Sequence, residues 1–143
     1  MSDLEIERRL QLLEEFMRRR ETDSKATAFG TYTPTLTGVA NVDGSTAYVC
    51  GYYRVGNSVT VYGRVDIDPT AAASTATRLG VSLPIASNFA AAGDCGGAGY
   101  SPGVVSLGFA VEADSTNDRA QITFLSTTTA NTGFRFTFTY LVA

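Results

Sequence analysis

Apolar positions follow two different periods along the chain. Near the N-terminus Ile6, Leu10, Leu13 and Met17 recur at spacings of 4, 3 and 4. That is the a/d seam of a coiled coil, with Ile6 and Leu13 at d and Leu10 and Met17 at a. From about residue 31 the period drops to two. In FRFTFTYL (134–141) Phe134, Phe136, Phe138 and Tyr140 share one face, and Arg135, Thr137, Thr139 and Leu141 the other. The aromatic stripe is expected as the core face of the sheet, with a subunit interface around a threefold axis as the alternative. In YYRVGNSVTVYGRV (52–65) the turn formers Gly56-Asn57-Ser58 separate two β-branched or aromatic runs, which predicts a hairpin. The pattern therefore divides the chain into an N-terminal helix, residues 1–25, and a β domain, residues 26–143.

The helix carries its own start signal. Ser2 and Glu5 have capping-box spacing. Asp3, Glu5 and Glu7 lie at its positive end and Arg18, Arg19 and Arg20 at its negative end, which suits the macrodipole. Leu at a with Ile at d favours three or four strands over two. Arg9 at g faces Glu14 at the following e of a parallel neighbour, although an exposed pair contributes at most about 1 kcal/mol. A seam so short is marginal alone. It needs a second self-associating element to raise its effective concentration, and the β domain is the candidate. The alternative is an amphipathic helix packed on its own β domain. Leu12 and Phe16, at c and g, either widen the core-facing stripe or form a second stripe that docks elsewhere. Docking is the expectation, because Leu12 would be exposed in a simple coil.

Gly30 and Pro34 in SKATAFGTYTPTLT (24–37) mark a short linker. Strands are expected at 31–37, 47–55, 58–67, 78–83, 104–112, 120–126 and 133–142. Turn signals lie between them, among them NVDGS (41–45) and the glycine-rich AAGDCGGAGYSPG (91–103). Short strands so spaced predict an all-β fold, an antiparallel sandwich or jelly-roll-like knob.

Charge sharpens the division. Thirteen of the chain's 25 charged residues fall within residues 1–25. The remainder is rich in Thr, Ser, Ala and Gly, a surface that tends to associate. A net charge of −3 with no basic stripe argues against nucleic-acid binding. No apolar run is long enough for membrane insertion as a helix. The charged N-terminus lacks the apolar stretch of a secretory signal.

Candidate chemistry is sparse. Histidine is absent, which removes Ser-His-Asp and Cys-His catalysis. The one lysine, Lys25, sits in the linker. Asp66 and Asp68, and Glu112 with Asp114 and Asp118, are the candidates for glycosidase pairs or calcium ligands. Their turn positions make solvated turn residues the expectation, with no catalytic, cofactor-binding or metal-binding residue assigned. Tyr52, Tyr53 and Tyr100 offer sugar-stacking surfaces. Cys50 lies in a strand-like run and Cys95 in an expected loop. Two free thiols with at least one in the core, or a disulfide, both fit.

The stretches GTYTPTLTGVANV (30–42), YYRVGNSVTVYGRVDIDPT (52–70), LGVSLPIASNF (79–89), STNDRAQITF (115–124) and FRFTFTYLV (134–142) resemble a β domain of tailed-bacteriophage virion proteins, the tip of head or tail fibres. The resemblance implies a non-enzymatic homotrimeric knob on the virion surface, assembled in the host cytoplasm and released by lysis. In that setting Ile6, Leu10, Leu13 and Met17 would trimerise the chain, and Leu12 and Phe16 would dock on capsid or tail proteins. A helix of roughly 27 Å is a peg rather than a fibre. That favours a capsid decoration or head-fibre protein, with a tail-fibre or tail-tip adhesin recognising host cell-surface carbohydrate as the alternative.

Overall fold

The computed structural model describes residues 2–25 and 27–142. Met1, Ala26 and Ala143, at the ends of the two expected domains, lie outside them. So do the side chains of residues 20–25, and with them the expected roles of Arg20 and Lys25.

The helix α1 spans Asp3–Lys25. At 1.5 Å per residue, 23 residues make a rod of about 35 Å, longer than the sequence pattern suggested. Ser2 caps it as expected: its Oγ accepts from the Glu5 N–H at 3.3 Å. Glu15 and Arg19 pair at 3.2 Å along one flank. Every described side chain of α1 from Asp3 to Arg19 is exposed. The helix does not bury its seam against its own β domain.

Among the described residues ten strands follow: β1 (Thr27–Tyr32), β2 (Leu36–Ala40), β3 (Val42–Ala47), β4 (Cys50–Val55), β5 (Ser58–Pro69), β6 (Ala76–Val81), β7 (Cys95–Tyr100), β8 (Gly108–Asp114), β9 (Arg119–Leu125) and β10 (Thr132–Leu141). All pairings are antiparallel. They form one curled sheet in the order β1-β4-β5-β10-β7-β8-β9-β6-β2, with β3 pairing β5. Since β2 and β3 are consecutive, the path that leaves β5 through β10 and ends at β2 returns to β5 through β3.

Asn41 is the corner that allows this return. It takes φ 54°, a left-handed conformation that asparagine tolerates. Its Oδ1 accepts from the Ala71 N–H at 2.7 Å, and its Nδ2 donates to the Thr77 and Ser126 hydroxyl oxygens. These bonds tie the bend to the neighbouring segments, and the Asn41 carbonyl also accepts from the Thr70 N–H at 3.1 Å. The turn signal in NVDGS therefore has a narrower meaning than expected. One residue bends, and Val42 onward continues as β3.

The hairpin at 52–65 forms as its pattern predicts. Val55 pairs Ser58, and Gly56 takes φ 60° in the two-residue turn. The expected linker does not form: β1 begins at Thr27, two positions after the helix ends. Gly30 lies within that strand, where a Cβ would fall 2.6 Å from the Tyr52 hydroxyl oxygen.

The larger departure is β7. CGGAGY (95–100) reads as a loop because glycine clusters usually mark turns. Here the glycines make room. Gly97 and Gly99 pair Phe138 and Phe136 of β10 on the core face. A Cβ at Gly99 would collide with the Phe109 ring. A glycine strand thus lets large rings pack tightly beneath it.

The core is where the alternation of β10 placed it. Phe134, Phe136, Phe138 and Tyr140 are all buried. The Phe134 ring lies 5.1 Å from that of Phe109 and 5.0 Å from that of Phe124. Such offset ring pairs add about 0.5–1.5 kcal/mol each beyond area burial.

Candidate functional site

Opposed residues of antiparallel strands project to the same side, so the register defines the outer face of β1, β4, β5, β10 and β7 row by row. Nearest the start of β1 is Thr27, Val55, Ser58 and Leu141. Next comes Phe29, Tyr53, Thr60, Thr139 and Gly96. Thr31, Gly51, Tyr62, Thr137 and Ala98 follow. The last row is Arg64, Arg135 and Tyr100. The Thr60 and Thr139 hydroxyls, 3.0 Å apart, lie side by side as this lattice requires.

The first two rows carry four large exposed apolar side chains, Phe29, Tyr53, Val55 and Leu141, set among Thr and Ser hydroxyls. Phe29 is 81% exposed, Leu141 66% and Val55 62%. A strand residue as large as Phe29 standing free is unusual, and its neighbours Tyr53 and Val55 extend the patch. Since β1 begins two positions after α1 ends, the helix leaves the β domain beside this patch.

On the helix, Ile6, Leu10, Leu13 and Met17 are 44–61% exposed. They lie on one stripe, as their spacing predicts, and among the described residues none packs into the core. Leu12 and Phe16 are equally open. With Glu15 and Arg19 they frame a shallow notch of about 280 Å³. The notch sits beside the seam rather than within it.

The carboxylates singled out in the sequence have structural work. Asp66 is buried. It accepts from the Tyr48 hydroxyl at 2.8 Å and from Arg64 Nε at 3.1 Å. Arg64 in turn lies 4.5 Å above the Tyr48 ring. Burial pushes the Asp66 carboxyl up, but hydrogen bonds from Tyr48, Arg64 and Asn131 and the Arg64 charge outweigh it and hold it below the usual carboxylate range. Asp68 stays outside this network, with one buried oxygen that has no partner among the described residues. Asp114 closes its own turn. Asn117 donates to it and Arg119 Nε does so at 2.9 Å, and both lower its pKa. Asp118 accepts from the Phe89 N–H at 2.9 Å. Glu112 is exposed on β8. Carboxylates held ionised by such partners are poor general acids. Among the described residues no three His, Cys, Asp or Glu side chains cluster as a metal site.

Both cysteines are free and buried. Cys95 opens β7 rather than lying in a loop. Burial raises its pKa to about 12 and also raises that of Cys50. Burial likewise raises Tyr140 to about 12. The unfolded Cys95 thiol ionises near 9, so above that pH the unfolded state binds fewer protons than the folded one. Stability is therefore full below pH 9 and falls as pH rises toward 12. At pH 8 neither thiol should react with a thiol reagent within minutes, whereas both should react in denaturant. A fast-reacting native thiol would contradict the buried placement. Thermal melts should show the midpoint falling between pH 9 and 12, and less steeply in Cys95→Ala.

A groove of about 670 Å³ opens at the arginine row, between the turn at 101–104 and the loop at 127–132. Sequence reasoning did not find it. Its residues are scattered over four segments, and Arg64 and Arg135 meet only through the β5–β10 register. Of the three tyrosines expected to offer stacking surfaces, Tyr100 stands at this row and is 57% exposed. Tyr53 lies in the apolar patch. Tyr52 faces inward, edge-on to Tyr32.

No family model, curated protein or solved structure matches the chain.

Proposed function

We propose that the chain is a non-enzymatic structural protein of a tailed-phage virion, a homotrimeric surface knob anchored through its N-terminal helices. The observation that carries this reading is the pair of unpartnered apolar surfaces joined at residues 25–27, the helix seam and the Phe29–Tyr53–Val55 patch. The occupant of both is a second and third copy of the chain. The seam has coiled-coil spacing, and Arg9 and Glu14 are placed to pair between parallel copies. Burying a large apolar side chain contributes about 1.5–3 kcal/mol. Four seam residues per chain then contribute several kcal/mol, far more than the exposed ion pairs, and the sheet patch adds to this. The curled sheet with its aromatic core fits a jelly-roll-like or sandwich-like knob.

Within the virion, the rod of α1 favours a capsid-mounted decoration or head-fibre protein, seated by Leu12 and Phe16. A tail-fibre or tail-tip adhesin is the second reading, favoured by the open groove at Arg135. Copy number separates the two. Densitometry of purified particles should give scores to hundreds of copies for a capsid knob, and a few trimers for a tail adhesin. Leu12→Ser with Phe16→Ser should leave the oligomer intact and weaken its incorporation severalfold. If that variant is monomeric, these residues belong to the coil.

A further inference from the structure

From the arginine row we infer that the groove at Arg64, Arg135 and Tyr100 binds a saccharide bearing a carboxylate. Every residue involved comes from one chain, so the site stands whether or not the proposed trimer and virion role hold.

Charge sets the ligand's sign. Arg64 and Arg135 are directly opposed across β5 and β10, and like charges so placed repel. Asp66 neutralises Arg64 through two contacts, 3.1 and 3.3 Å from its nitrogens. The Arg135 side chain is exposed, and its guanidinium has no hydrogen-bond or ion-pair partner among the described residues. The groove therefore holds one uncompensated guanidinium. Its planar fork matches a single carboxylate in a bidentate pair. One spare cation is too little for a nucleic acid or a polysulfated chain, which require many.

The rest of the groove is neutral and rich in hydrogen-bonding groups. Thr127, Thr128, Asn131 and the backbone about Gly103 line it. These groups suit sugar hydroxyls. Beside Arg135 on the next strand stands Tyr100, and a second recess of about 360 Å³ runs between them along Ala98 and Thr137. An exposed tyrosine ring there can stack on the apolar face of a pyranose. The volume lies within the roughly 300–1,000 Å³ of ordinary small-ligand sites. The floor is pre-formed. Asp66, held by Tyr48, Arg64 and Asn131, fixes the Arg64 side of the groove.

Titration calorimetry on the full chain tests the inference with trigalacturonate and 3′-sialyllactose, against maltotriose and lactose as uncharged controls and inorganic phosphate as a bare anion. At least one acidic sugar should bind tenfold or more tightly than its neutral control and than phosphate. Arg135→Gln should weaken that binding at least tenfold, and Tyr100→Ala severalfold. Binding of neither acidic sugar at millimolar concentration would overturn the inference. So would binding that Arg135→Gln leaves unchanged, or phosphate binding as tight as the sugar. Loss of self-association in Arg135→Gln, without sugar binding by the parent, would overturn it too, by assigning the arginine to contacts between copies.

Discussion

Leu10→Asp combined with Leu13→Asp should convert the proposed trimer to single chains while the β domain stays folded. The two positions are the central a and d layers of the seam, and in a three-chain bundle they would bring six carboxylates to one axis. Unpaired charge removed from water costs several kcal/mol per group. That exceeds what the remaining Ile6 and Met17 layers supply, at about 1.5–3 kcal/mol per buried side chain. The β fold should be untouched, because both leucines are more than half exposed in the single chain. Sedimentation velocity reads the mass and far-ultraviolet circular dichroism the strand content. A variant that keeps the parent's mass would remove α1 from the interface. A variant that loses strand signal would mean that helix and sheet depend on each other.

The second large effect lies within β7. Gly97→Ala should destabilise the β domain by about 3 kcal/mol or more, at the upper end of overpacking costs. The new methyl group would land on the Thr137 carbonyl oxygen and 2.6 Å from Phe138 Cα. Both are backbone of the central strand β10, so no rotamer change relieves the clash and the β7–β10 ladder must part. Gly96→Ala is the control. It is the adjacent glycine, faces outward, and has nothing within 4 Å of its would-be Cβ. It should be neutral or slightly stabilising, through lost freedom of the unfolded chain. Chemical denaturation of the two variants measures the difference. Equal effects would mean that CGGAGY is not a strand with alternating faces.

The same glycines mark the limit of what the residue pattern reveals. Period-two alternation placed β10 and its buried aromatic face correctly, because each side chain there reports its own side of the sheet. Where side chains are missing, as at Gly96, Gly97 and Gly99, nothing reports a side, and a strand looks like a turn. The β2–β3 corner failed for a related reason. Asn41 satisfies a bend through partners at Ala71, Thr77 and Ser126, and such long-range bonds leave no local signal. The helix and its exposed stripe of Ile6, Leu10, Leu13 and Met17 were legible because spacing alone defines them. The arginine groove was not, since Arg64, Ser101, Asn131 and Arg135 become neighbours only after ten strands have paired. Asp66 and Asp68 lie close together in the sequence, yet the partners of Asp66 are Tyr48 and Arg64.

The most direct test of self-association is the mass of the intact chain by sedimentation equilibrium at micromolar concentration. A homotrimer gives three times the 15.1 kDa of one chain. A stable species of one chain mass at tens of micromolar, with α1 still helical, would contradict it.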